Sequence, residues 1–304
     1  MSTRSYLFNC CAKARFIDKP LRPRRAETGR QALTWYYLRI SGALMVALVL
    51  VHLFLMHYAA APSTTTSAFV TARWSATGWR AFDGVLLLLA LTHGLAGAHG
   101  MVRDAVRGPR ARAVVDAASI IVGAAFAGLG VAAALSGSPH RLADPPAAYG
   151  WVPGVLIGSL VGVATVTYAA IAAVIVVLGW RLARGEPIGR WSYPGQWAFA
   201  LNRAAGAGIL AFLLVHVIDV ALFPFAPALY DRTVAAYAMP YLAPMEVGLV
   251  AAVLYHALDG LRLMVLEALD RRATALGTPS FVALLVLTAT LSLPALAVLL
   301  GWRP

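Results

Sequence analysis

The sequence predicts an all-α polytopic transmembrane helical bundle of about seven spans, built as two three-helix repeats joined by a linker helix. Three observations predict it. Of 304 residues, 60% are hydrophobic and only 12% are charged, whereas a soluble domain carries roughly 25% charged residues. Apolar runs long enough to cross a bilayer, about 20 residues, recur seven times along the chain. Finally, histidine- and glycine-bearing segments of the first half return in the second. A membrane barrel would instead show alternating strands of about 10 residues.

Residues 1–33 precede the first run and are rich in Pro and Arg. They read as a cytoplasmic N-terminal arm, either without a fold of its own or as a docking segment for a soluble partner, and no cleavable signal peptide is expected. Cys10 and Cys11 lie in it, on the reducing side, and read as free thiols. Two adjacent thiols cannot supply a four-ligand metal site, and no C-x-x-C-H marks covalent haem attachment. Spans at 34–58, 81–102 and 113–136 form a first module, 34–136. The linker, 137–194, contains a fourth span at 152–180 with no charged side chain. Spans at 201–223, 242–266 and 279–301 form the second module, 195–304.

The net charge of +12 is unevenly placed. Counted by alternating sides, seventeen Lys/Arg fall on the side of the N-terminus and five on the other. The positive-inside rule sets the N-terminus in the cytoplasm and the C-terminus outside. The basic bias is therefore topogenic and faces membrane lipid; no nucleic-acid partner is expected.

The repeat is explicit. RISGALMVALVLVH from Arg39 aligns with RAAGAGILAFLLVH from Arg203, with Gly42/Gly206 at +3 and His52/His216 at +13. HGLAGAHGMVRD from His93 aligns with HALDGLRLMVLE from His256, with Gly97/Gly260 at +4, Met101/Met264 at +8 and Asp104/Glu267 at +11. A three-helix module that starts inside ends outside. A second copy in the same orientation needs an odd number of extra spans, which the linker helix supplies.

At 1.5 Å rise per residue, His52 and His216 lie about 20 Å from the inner arginines, and His93 and His256 about 16 Å from the inner acids. All four are inside a core of about 30 Å, at two depths. One imidazole in a span can simply bond a neighbouring helix. Four, paired by repeat and by depth, point to iron ligation in a bundle interior. Gly97 and Gly260 share the faces of their histidines, and serve either a flat macrocycle or close helix packing. His57 reads as interfacial, His99 as a polar partner, and His140 sits in an outer loop without evident role. Asp219, one turn after His216, bonds another helix or caps the outer end.

These residues carry a resemblance. NRAAGAGILAFLLVHVIDVALF and PMEVGLVAAVLYHALDGLRLMV, with H-x-x-x-G-x-R at His256, Gly260 and Arg262, resemble the cytochrome b membrane-anchor subunit of succinate dehydrogenase. RISG, RWSATGWRAFDGVLLLLALTHG and Asp104 resemble the smaller hydrophobic anchor of the same enzyme. The chain looks like the two anchors fused, with a linker helix between. The resemblance implies two non-covalent haem b groups, a proximal one between His93 and His256 and a distal one between His52 and His216. It also implies flavoprotein and iron–sulfur partner subunits on the cytoplasmic face of a bacterial cytoplasmic membrane, in a complex of open oligomeric state.

For the quinone, the resemblance implies Arg203, with Asp104 from the smaller anchor. Ala105 and Phe199 replace the family's tyrosine and serine. Those departures favour menaquinone, or a site displaced toward Trp197, Tyr37 or Arg39. Arg262 and His99 stand at equivalent repeat positions and are candidates for haem propionates, with a snorkelling arginine as the other reading of Arg262. No G-x-G-x-x-G or iron–sulfur cysteine framework is present, so succinate chemistry needs partner chains. Three other readings remain in view: a free-standing di-haem cytochrome b, a proton-relay transporter, and a purely structural anchor with one haem or none. Transporters commonly show inverted repeats and broken helices; here the repeats are parallel and no break falls at a histidine.

Overall fold

The computed structural model describes residues 29–136, 150–184, 194–239, 242–269 and 273–299. Among these residues it is all helical. Helix α1 is Gly29–Leu53, followed by a π turn at Phe54–Tyr58 and a 3-10 turn at Pro62–Thr64. Then come α2 (Ser67–Trp74), α3 (Thr77–Ala105), α4 (Pro109–Ser136), α5 (Val152–Ala183), α6 (Pro194–Phe225), α7 (Pro227–Ala236), α8 (Ala243–Leu269) and α9 (Ala273–Leu299). Six of these are long and apolar enough to cross a membrane, and α5 carries no charged residue before Arg181. The chain is a multi-pass membrane protein. Several helices start before their apolar stretch: α3 begins at Thr77 rather than at 81, and α6 at Pro194 rather than at 201, because backbone hydrogen bonding continues past the apolar run.

Four helices form the centre. α1 packs on α3, α3 on α6, α6 on α8, and α8 back on α1. α1 therefore faces α6 across one diagonal, and α3 faces α8 across the other. α4 flanks α3 and α6, α9 flanks α8 and α6, and the linker helix α5 packs on α6, α7 and α8. α6 thus sits amid the bundle. Its repeat mate α1 leaves Leu33, Ile40, Leu44 and Leu50 exposed, as lipid contact allows. α3 turns into α4 through Gly108, whose φ of +101° would strain any residue with a Cβ.

α2 and α7 are too short to span, and no apolar run announces them. They lie over the end of the bundle opposite the start of α1; that end is called outer, and the end where α1 starts is called inner. Thr66 caps α2 by accepting from the Phe69 amide, and Pro227 starts α7 where no helical donor is needed. Their apolar sides meet: Val70, Trp74, Phe223, Tyr230 and Val234 form one buried cluster. Ser67 and Asp231 are repeat mates, and they bond each other through the Ser67 amide (2.7 Å) and hydroxyl (2.8 Å). Cys10, Cys11 and His140 lie outside the described residues, as does the His57 side chain.

Candidate functional site

The central helices enclose a cavity of about 1130 Å³, and all four span histidines line it. That exceeds the roughly 300–1,000 Å³ of a pocket for one drug-sized ligand. The histidines pair across the diagonals. His93 on α3 faces His256 on α8 with ring centroids 6.3 Å apart and planes at 85°. His52 on α1 faces His216 on α6, also at 6.3 Å, with planes at 74°. Two imidazole donors each about 2 Å from one metal put the ring centres about 6 Å apart. A plain edge-to-face aromatic pair has a similar separation, so the surroundings decide.

Gly97 and Gly260 supply the decisive observation. A Cβ built on either would meet nothing within 4 Å, and both line the cavity. Close helix packing is therefore not their role; they widen the space beside the inner histidine pair. Gly42 and Gly206 behave oppositely. A Cβ at Gly42 would lie 3.3 Å from His93 Cε1, and one at Gly206 would lie 2.8 Å from His256 Cε1. Each inner imidazole rests on the bare backbone of the first helix of its own module. The repeat displayed these two glycines without revealing that use.

Hydrogen bonds fix the inner tautomers. His256 Nδ1 is 3.1 Å from the Asn202 carbonyl, which can only accept, so Nδ1 carries the proton. His93 Nδ1 is 2.9 Å from Ser41 Oγ. That hydroxyl spends its hydrogen on the Tyr37 carbonyl at 2.6 Å, so it accepts from His93. In both rings the Nε2 lone pair is left free, the arrangement that metal-ligating histidines use. Among the described residues no group of three or more His, Cys, Asp or Glu gathers to hold a bare ion. The donor set is two imidazoles per location, which suits a metal whose remaining positions a macrocycle fills. The residues present fit a haem at each pair.

The outer pair has different company. His216 stacks on Phe212, 5.4 Å between centroids and 12° apart. His52 Nδ1 stands 3.7 Å from Asp83 Oδ1. Asp219 is 2% exposed; it accepts a bond from the Tyr237 hydroxyl at 2.9 Å, while its Oδ1 has no partner. It thus ties α6 to the segment after α7 rather than capping a helix end. Burial, with the Asp219 charge adding to it, raises the Tyr237 and Tyr230 phenols well above the ordinary tyrosine range, so both act as neutral donors.

At the inner rim the repeat generates two crossed ion pairs. Arg39 of α1 grips Glu267 of α8 with both arms, 2.8 Å on one. Arg203 of α6 bonds Asp104 of α3 at 3.2 Å. Each arginine also covers a ring, Arg39 over Trp35 at 3.6 Å and Arg203 over Phe199 at 4.4 Å. Arg39, Arg203, Asp104 and Phe199 line the inner mouth of the cavity; Tyr37 and Trp197 are outside its lining. Tyr37 instead bonds the Thr92 hydroxyl.

The two propionate candidates are turned away from the cavity. Arg262 bonds Asp259 (2.6 Å), Ser280 (3.0 Å) and the Gly277 carbonyl (3.3 Å). Asp259 is fully buried and also accepts from Asn202 at 2.9 Å. His99 bonds Asp116 at 2.7 Å. Asp116 and Ser280 belong to the third helices, α4 and α9, so both candidates tie the second helix of a module to its third. A buried guanidinium needs such partners, and its snorkelling reading fails for the same reason.

The family described as succinate dehydrogenase/fumarate reductase transmembrane subunit matches twice, over residues 18–132 and 181–293. A succinate dehydrogenase 2 membrane subunit, SdhC, of Mycobacterium tuberculosis is 45% identical over 74 residues. That alignment covers 24% of this chain and 54% of the relative, so the chain spans about half the relative's length. No solved structure matches.

Proposed function

The chain belongs to the succinate dehydrogenase/fumarate reductase transmembrane subunit family, and from that premise we propose that it is the haem-bearing membrane subunit of a succinate:quinone oxidoreductase. It passes electrons from succinate oxidation to a membrane quinone. The observation that carries this reading is the pair of diagonal imidazole couples at equal 6.3 Å separation around one cavity. Two haem b groups are assigned to them, the proximal to His93/His256 and the distal to His52/His216. When bound, haem held by two imidazoles would supply one-electron carriage rather than oxygen chemistry.

The chain's own residues do the remainder. Ser41 and the Asn202 carbonyl hold the inner imidazoles with Nε2 toward the cavity. The apolar helix walls exclude water. Arg203, at the inner mouth, is placed to donate to a quinone carbonyl as negative charge develops on it. Asp104 orients that guanidinium and, 70% exposed, can take protons from the cytoplasmic side. Phe199, beneath the guanidinium, offers a ring to a flat quinone in place of the serine, which fits menaquinone. Flavoprotein and iron–sulfur subunits dock on the basic cytoplasmic face, where the N-terminus also lies, in a bacterial cytoplasmic membrane.

The test is anaerobic addition of succinate to the complex purified through this chain. The reading predicts co-purified flavin and iron–sulfur subunits, haem reduction by succinate, and electron delivery to menaquinone analogues. A chain that purifies without those partners, yet carries reducible haem, supports a free-standing cytochrome instead.

A further inference from the structure

An imidazole that ligates a metal through Nε2 must carry its proton on Nδ1, and that proton needs an acceptor. The inner histidines have neutral acceptors, a hydroxyl and a carbonyl. His52 differs. Its Nδ1 is enclosed by the protein and makes no hydrogen bond. The group standing toward it, 3.7 Å away, is Asp83 Oδ1 on α3.

That carboxylate is itself held in place. Arg73 Nε and an Nη donate to it at 3.2 and 3.0 Å, and Trp74 Nε1 donates at 2.9 Å. Both donors belong to α2. Trp74 is anchored edge-on against Phe223 of α6 at 5.4 Å, and Arg73 lies over the Trp79 ring at 4.2 Å. The short outer helix thus clamps one carboxylate from behind and aims it at His52. Asp83 and His52 both line the cavity. The repeat places Glu246 at the position equivalent to Asp83, ten residues before the second-helix histidine, and Glu246 also lines the cavity.

We propose that Asp83 is the positioning residue for His52: the α2-clamped carboxylate accepts the Nδ1 proton, gives the ligand imidazolate character, and lowers the potential of the distal haem relative to the proximal one. A negative acceptor strengthens the donation of Nε2 and so favours the oxidised iron, while a neutral acceptor does so less. The proposal rests on the haem assignment above.

The experiment is a spectroelectrochemical titration of the purified complex, comparing wild type with Asp83→Asn and Asp83→Glu. Asp83→Asn is expected to shift one of two midpoint potentials upward by about a tenfold change in the equilibrium constant, about 59 mV for one electron. The other midpoint stays in place, and Asp83→Glu restores the first. Two unchanged midpoints in Asp83→Asn, or an equal shift of both, overturn the proposal. If Asp83→Asn loses one haem, recovery of that haem near its wild-type potential in Asp83→Glu supports the proposal, and failure to recover it overturns it. A wild-type complex without haem defeats the earlier reading instead, so the two failures are distinguishable.

Discussion

The inner and outer halves of the cavity use the same two-imidazole motif in opposite surroundings. Inside, each ring lies on a glycine and bonds a neutral oxygen. Outside, one ring faces a clamped carboxylate and the other stacks on a phenylalanine beside a buried aspartate. The inner half is closed by crossed ion pairs between modules, whereas the outer half is closed by two short helices that meet at Ser67 and Asp231. The repeat duplicated the imidazoles; its two ends then diverged in charge. Two equal imidazole pairs differ, then, through the atoms that stand behind each ring.

The strongest way to break the comparison is to remove a ligand from one half only. His256→Ala should abolish the inner haem and leave about one haem per chain, with the outer spectrum intact; haem content and low-temperature α-band spectra check it. His52→Ala should do the reverse. If either change abolishes both signals in a folded chain, the two halves are not independent.

Next in size is the inner mouth. Arg203→Ala removes a charged donor, and losses of about 10²–10³ are typical when a preorganised oxyanion donor is deleted. Quinone reduction by succinate should fall by about that factor while haem content stays unchanged.

Smaller effects come from the glycines. Gly206→Ala puts a methyl 2.8 Å from His256, against 3.3 Å for Gly42→Ala at His93. Overpacking costs about 1–3 kcal/mol, so Gly206→Ala should lower thermal stability and inner-haem retention more than Gly42→Ala. Equal tolerance would show that the imidazoles do not rest on backbone. Ser41→Ala is the mildest, since it removes one hydrogen bond of about 1 kcal/mol. It should broaden the inner low-spin signal and leave the outer one alone.

Much of this architecture was legible from residue types. The spans follow from apolar runs, and the pairing of His52 with His216 and of His93 with His256 follows from depth within a repeat. What was not legible depends on contacts far apart in the chain. α2 and α7 are helices because Trp74 finds Phe223 and Ser67 finds Asp231; neither helix has an apolar run of its own to announce it. Arg39 and Arg203 read as candidates for the quinone site, and the sequence did not show that each pairs with an acid of the other module. Arg262 read as a propionate partner because its repeat spacing matches His99, and that match has another cause: both bridge to a third helix, at Ser280 and Asp116. The role of Asp83 was not legible because its ten-residue offset from His93 says nothing of His52, which lies on another helix.

The central claim is that four imidazoles, two per module, are axial donors. Its most direct test is haem stoichiometry of the purified complex with electron paramagnetic resonance. The account predicts two haem b per chain with two low-spin bis-imidazole signals, each lost with its own histidine pair. No haem, or two haems persisting after all four histidines are replaced by alanine, would contradict it.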